Sequence, residues 1–312
     1  MSVKERITFK ELSKKVLEEE KKPLTVEEIW KIAIEKGYDK HCITQGKTPW
    51  KTIGAQVYVD IRDNSESPFV KIDSKPRKFF LKTLVSENEL KRIEERERGK
   101  IEAPKKLRYP ERELHPFLTY FARTYMGIYV KTIYHEKSNK KEYSQWLHPD
   151  MVGVYFSIEE WKSEVIDFSR EIGSPSIKLY SFEIKRELGF HNLRESFFQA
   201  VSNSSWANEG YLVAANIDKD EELLSELKRL STSFGIGIIK LDIDDPDSSE
   251  VVLPARQKME LDWETINKLA KENPDFRNFL KRIKIDLSSK EIRKEEYDKV
   301  IKVEALIGKI EK

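Results

Sequence analysis

The sequence predicts an α/β chain in two parts. A small, mostly helical N-terminal module closed by a β wing precedes a larger α/β domain with a mixed central sheet. Three observations predict this. Residues 1–84 read as three amphipathic helices and then two short strands around a basic turn. Residues 107–287 alternate helical and strand patterns, and some strands are apolar on both faces. Between them, residues 85–106 are nearly all charged and close on Ala103-Pro104-Lys105-Lys106, which reads as a solvated linker. A length of 312 residues fits two domains better than one. Residues 288–312 read as a charged C-terminal helix.

The N-terminal elements follow from spacing and punctuation. Phe9, Leu12 and Val16 repeat at helical intervals over residues 8–20, and Lys22-Pro23-Leu24 ends that helix. Thr25 reads as an N-cap, with Glu27 and Glu28 in the first turn, where the helix dipole favours acids. Val26, Ile29, Trp30 and Ala33 form one stripe, and Gly37 stops the helix. Thr48-Pro49 opens a third helix that runs to about residue 62, with proline at its first position. Strands at 69–72 and 78–81 flank the turn Asp73-Ser74-Lys75-Pro76. Three helices and a hairpin make the winged helix-turn-helix pattern. Trp30 and Trp50 are expected in its core.

In the second part a helix is expected at 111–126, strands at 128–134 and 150–156, and a helix at 158–171. A strand at 177–185, a helix at 190–202, a strand at 210–215, a helix at 219–232 and a strand at 235–241 follow. Strands and helices in this order imply mixed strand directions.

Composition narrows the partners. Charged residues make up 36% of the chain and nearly balance, to +2. Residues 1–84 hold 18 lysines and arginines against 13 acids, so the module carries +5 and the remainder about −3. A positive module suits an anionic partner. The lone cysteine, Cys42, excludes a disulfide framework and a cysteine-based zinc site. No run approaches a membrane span and no signal-peptide core opens the chain, so a cytoplasmic protein without a membrane partner is expected. No glycine-rich phosphate loop is present, so no nucleotide cofactor is implied.

The chemistry concentrates at two places. Asp150, after Pro149, starts the apolar run Met151-Val152-Gly153-Val154-Tyr155-Phe156. Glu183-Ile184-Lys185 ends the apolar run from Ile177. Alternation puts Ile177, Leu179, Ser181, Glu183 and Lys185 on one face of that strand. Two charges ending a buried strand cost several kcal/mol unless something compensates them. A hard cation and a phosphate would do so: neighbouring strands would let Asp150 and Glu183 meet at one Mg²⁺, with Mn²⁺ as its substitute. Lys185 would orient the attacking water or neutralise the scissile phosphate. His148 is read as packing and turn bonding.

Pro149-Asp150 and Glu183-Ile184-Lys185 resemble the proline-aspartate and acid-x-lysine elements of the PD-(D/E)XK nuclease superfamily, as does the helix ahead of Asp150. The resemblance implies a restriction-endonuclease-like fold in which Asp150 and Glu183 bind the metal, the Ile184 carbonyl adds a ligand, and Lys185 is catalytic. It also implies a further acid on the first core helix, for which Glu113 is the best match and Glu111 the next. A glutamine on the following helix fits Gln199, although the tyrosine that would come four residues later is replaced by Asn203.

The stretches Pro23–Trp30, Gly46–Tyr58, Phe69–Ile72 and Lys78–Leu81 resemble the HARE-type winged helix-turn-helix. That resemblance implies binding to double-stranded DNA, with an interest in modified bases. Lys47, Thr48, Lys51, Thr52 and Gln56 would approach the major groove, and Lys75, Arg77 and Lys78 on the wing would touch phosphates. The layout as a whole resembles restriction-like proteins. The expected function is a Mg²⁺-dependent DNA endonuclease of restriction or defence type, acting as a homodimer when it cuts both strands. The alternatives are a non-catalytic DNA-binding regulator on a nuclease-like scaffold, and a DNA-repair nuclease.

Overall fold

Thr8 and Thr25 start the first two helices by the same device. Each threonine Oγ1 accepts from the backbone N–H three residues on, and the glutamate there, Glu11 or Glu28, accepts from the threonine N–H. Helices α1 (Phe9–Glu20) and α2 (Val26–Glu35) follow, and Pro49 opens α3 (Pro49–Asp63). Strands β1 (Phe69–Ile72) and β2 (Lys78–Leu81) pair antiparallel with Phe69 opposite Leu81, and Leu24 adds a bridge to Phe79. Leu12, Val16, Ile29, Trp30, Ile53, Val57 and Phe79 fill the core, while Trp50 packs half-buried against it. Phe9 meets Trp30 edge-on, with ring centres 6.0 Å apart.

The structure is a computed structural model that describes residues 7–42, 48–72, 74, 76–86, 89, 90, 92, 93, 110–138, 148–159, 161–171 and 177–310. The chain forms two compact units, Met1–Lys106 and Leu107–Lys312, each with its own core.

In the second unit, a 3-10 turn (Glu111–Leu114) leads into α4 (His115–Tyr125). The described strands form one six-stranded sheet in chain order: β3 (Tyr129–Thr132), β4 (Met151–Phe156), β5 (Ile177–Leu188), β6 (Glu209–Ile217), β7 (Gly237–Lys240) and β8 (Glu250–Leu253). The β3–β4, β4–β5 and β7–β8 pairs are antiparallel; β5–β6 and β6–β7 are parallel. Parallel pairing needs a crossover, and α6 (Leu193–Asn203) and α7 (Glu221–Phe234) provide the two. Helix α5 (Ser163–Glu171) lies between β4 and β5 in the chain.

Val152, Val154 and Leu179 share a core with Ile266, Leu269, Phe276, Phe279 and Ile283 of α8 (Trp263–Glu272) and α9 (Pro274–Ser289). Leu212 and Ala214 pack with Leu193, Phe197, Leu223 and Leu227 of α6 and α7. The other face of β5 carries Tyr180 and Phe182, and Phe182 stacks on both Tyr180 and Tyr211. Gly153 lets this aromatic row close over β4, because a Cβ there would lie 2.7 Å from the Ile128 side chain and 3.0 Å from Phe182.

Several expectations need correction. The segment expected as a solvated linker is not all solvated: Val85, Leu90 and Ile93 pack on the N-terminal core, and residues 94–106 lie outside the described ones. Residues 288–312 are not one charged helix. After α9 the chain makes a 3-10 turn (Lys294–Glu296), and only α10 (Val303–Ile310) is helical. The reason is a few apolar anchors: Tyr297 and Leu306 are buried, and Tyr297 donates to the buried Asp286. The helix expected from 158 starts at Ser163, and Ser157–Glu159 form a 3-10 turn. Strand β8 and helices α8 and α9 were not expected.

Candidate active site

The site forms where β4 starts alongside β5. The ladder pairs Met151 with Phe182, so one step outward Asp150 stands opposite Glu183. Directly opposed residues of an antiparallel pair project to the same face. Beyond this point β5 continues to Leu188 with β6 on one side only. The Ile184 N–H, at the edge that β4 vacates, donates to Asp150 Oδ2 at 2.7 Å. Glu183 is 2% exposed. Its Oε1 accepts from Lys185 Nζ at 2.8 Å, and its Oε2 accepts from Asn203 Nδ2 at 2.8 Å.

Electrostatics separate the two carboxyls. Burial pushes Glu183 up, and the Asp150 charge pushes it further; the Lys185 and Asn203 contacts only partly offset these. Burial also pushes Asp150 up, but the His135 contact, the Ile184 N–H and the Lys185 charge outweigh it and hold Asp150 below the usual carboxylate range. For Lys185, burial lowers the pKa, yet the Glu183 and Asp150 charges prevail and raise it. Lys185 is therefore a cation, and Glu183 carries the site's uncompensated cost.

Asp150, Glu183, Ile184 and Lys185 thus come together. Glu113 does not join them: it is exposed on the 3-10 turn, and Glu111 is the acid of that turn whose charge acts on Lys185. Gln199 is half-exposed on α6, one turn before Asn203.

Sequence reasoning missed two residues. Asn203 is buried and also donates to the His148 carbonyl at 3.3 Å; its signal was the position where a tyrosine was expected. His135 places Nε2 3.4 Å from Asp150 Oδ1, and no pattern in the chain marks it. His148 is 1% exposed, and neither of its ring nitrogens has a partner among the described residues, so its ring makes no turn bond there. Burial and then the nearby His135 push its pKa down to about 4. Beside the site, His115 Nδ1 lies 3.1 Å from Thr132 Oγ1. Both line a pocket of about 250 Å³ with Arg112, Tyr134 and Asp298.

The residues present fit a hard cation with a largely external shell. Two carboxylates face each other, and the Asn203 Oδ1 and both His148 nitrogens are buried without partners. Among the described residues no group of three or more His, Cys, Asp or Glu side chains is arranged to hold a metal ion. Asp150, Glu183 and the Ile184 carbonyl would supply the protein's share, leaving the other positions to water and substrate, as Mg²⁺ accepts.

In the N-terminal unit, Thr48, Thr52 and Gln56 are spaced by four residues on α3, opposite the buried Ile53, Val57 and Tyr58. Thr48 and Gln56 are exposed, and Lys51, Thr52 and Lys78 half-buried. The Arg77 guanidinium sits 5.7 Å from the centre of the Tyr58 ring, which ties the wing to α3. Lys47 and Lys75 lie outside the described residues.

Residues 7–81 match the HARE-HTH family, described as an HTH domain of ASXL and restriction endonuclease proteins. The N-terminal module is a HARE-HTH domain, and the match ends before the α/β unit. No curated protein and no solved structure matches the chain. No described helix is long and apolar enough to cross a membrane.

Proposed function

We propose that the protein is a divalent-cation-dependent DNA endonuclease of the PD-(D/E)XK type, with a HARE-HTH domain that binds double-stranded DNA. The carrying observation is Asp150 opposite a buried Glu183, with Lys185 2.8 Å from that glutamate. The mixed sheet, with helices in the β5–β6 and β6–β7 crossovers, is consistent with a restriction-endonuclease-like fold. The HARE-HTH match and the +5 charge of residues 1–84 support DNA as the substrate.

Asp150, Glu183 and the Ile184 carbonyl would hold Mg²⁺, or Mn²⁺ in its place. When bound, such an ion lowers the pKa of a coordinated water and neutralises charge on the scissile phosphate. The protein's own groups do the rest. Asp150 is held in one orientation by the Ile184 N–H. Asn203 fixes Glu183 Oε2. Lys185, charged and partly exposed, reaches the attacking water or a phosphate oxygen and stabilises charge that grows in the transition state.

Nicking of supercoiled plasmid in Mg²⁺ or EDTA tests this, with wild type beside Glu183→Gln and Lys185→Ala. Cleavage by wild type in Mg²⁺ alone, lost by roughly 100-fold or more in both variants, is the expected result. Equal behaviour of all three proteins would leave a DNA-binding scaffold without this chemistry. Parallel assays on unmodified, methylated and branched DNA separate a restriction role from a repair role.

A further inference from the structure

Three candidates lie outside the acid-x-lysine set: an exposed aromatic patch on α6 and α7, the loop acids around Asp247, and the histidines beside Asp150. The histidines carry an inference, which rests on the cation site proposed above. We propose that His135 is a ligand of the same divalent cation, so that the site takes a late first-row metal ion through an imidazole nitrogen.

Distance comes first. His135 Nε2 and Asp150 Oδ1 are 3.4 Å apart. That is long for an N–H···O hydrogen bond, which peaks near ~2.9–3.0 Å. It does match two donors sharing one ion: metal–ligand bonds of about 2.0–2.2 Å at 90–110° put neighbouring donors roughly 3.0–3.5 Å apart.

The loop carrying His135 is also built rather than loose. The Ile133 N–H donates to the Asp150 carbonyl at 3.0 Å, which ties the end of β3 to the start of β4. The Tyr134 N–H donates to Asp275 Oδ2 at 3.2 Å, and the Tyr134 carbonyl accepts from Asn273 at 3.1 Å. Lys137 pairs with Asp275 at 2.8 Å. The residues on both sides of His135 are therefore anchored to the N-terminus of α9, as a ligand position requires. The His135 side chain itself is 40% exposed, so an ion can reach it.

The neighbourhood, finally, has unmet bonding capacity. The ring of His148 lies 6.4 Å from that of His135, is 1% exposed, and has no hydrogen-bond partner at either nitrogen among the described residues. Buried polar atoms are rarely left so. A metal ion's water shell would engage them. Imidazole nitrogen favours cobalt and zinc over magnesium, whereas carboxylates serve both.

The test is titration of the full chain with CoCl₂ and MgCl₂ by calorimetry, with the visible Co²⁺ absorption as a second readout. Wild type is compared with His135→Ala, His135→Gln and Asp150→Asn, after far-UV circular dichroism has checked folding. The expected result is Co²⁺ affinity about 10-fold or more weaker in both His135 variants, an altered Co²⁺ spectrum, and Mg²⁺ affinity changed by less than about 3-fold. Unchanged Co²⁺ binding in the His135 variants, with loss in Asp150→Asn, overturns the inference and leaves the cation site standing. Wild-type-like binding in Asp150→Asn, or no binding by wild type, overturns both.

Discussion

Glu183 holds an ionisable group in a place that disfavours its charge. Its folded-state pKa is raised by burial and by Asp150. Its contribution to stability is therefore fully present below the unfolded carboxyl pKa and is lost as pH rises through the folded value. Glu183→Gln keeps the size and the Asn203 neighbour but removes the penalty. The variant is expected to gain on the order of 1–3 kcal/mol at pH 8 in urea unfolding without added cation, while losing cleavage. Equal or lower stability would mean that Glu183 is already relieved by Lys185. His148 has the opposite sign. Its folded pKa falls from 6.5 to about 4, so the neutral ring's contribution is present above 6.5 and is lost as pH falls toward 4. Between pH 7 and pH 4 the chain should lose up to roughly 3 kcal/mol through this one group. His148→Asn should flatten that slope, whatever its stability at pH 7.

Among the elements, α3 and its wing separate two kinds of contact. Thr48, Thr52 and Gln56 form a polar stripe on the side away from Ile53 and Val57. Lys51→Ala should weaken binding to all duplexes alike and lower the slope of log affinity against log salt by about 1. Gln56→Ala should instead change the ranking among sequences, since an amide can read a base edge. Fluorescence anisotropy across a salt series and a panel of duplexes distinguishes them. An unchanged slope in Lys51→Ala would remove that side chain from the phosphate contacts. The N-terminal helices and wing were legible because their signals are local: threonine caps, Pro49, and short apolar runs around a polar turn. Helices α8 and α9 were less legible because the chain around them is dense with charge. Their apolar residues, Leu269, Phe276 and Phe279, gain meaning only against Val152 and Val154.

For the whole molecule, the decisive fact is two cores in two units. Heating should give two transitions in calorimetry. Added Mg²⁺ should raise only one of them, by an amount that grows as RT ln(1 + [L]/Kd). Glu183→Gln should abolish that shift and leave the other transition where it was. A single transition, or a cation shift in both, would mean that the units unfold as one.

The sequence by itself determined the three helices and hairpin, the identity of Asp150, Glu183 and Lys185, and their positions at strand ends. Periodicity, caps and apolar runs act within a dozen residues and can be read along the chain. Only the tertiary structure decided which acid of the 111–114 turn acts on Lys185, that Asn203 clasps Glu183, and that His135 stands beside Asp150. Those relations join residues 15 to more than 70 positions apart. They arise from strand register and helix crossover, so no local spacing in the chain encodes them.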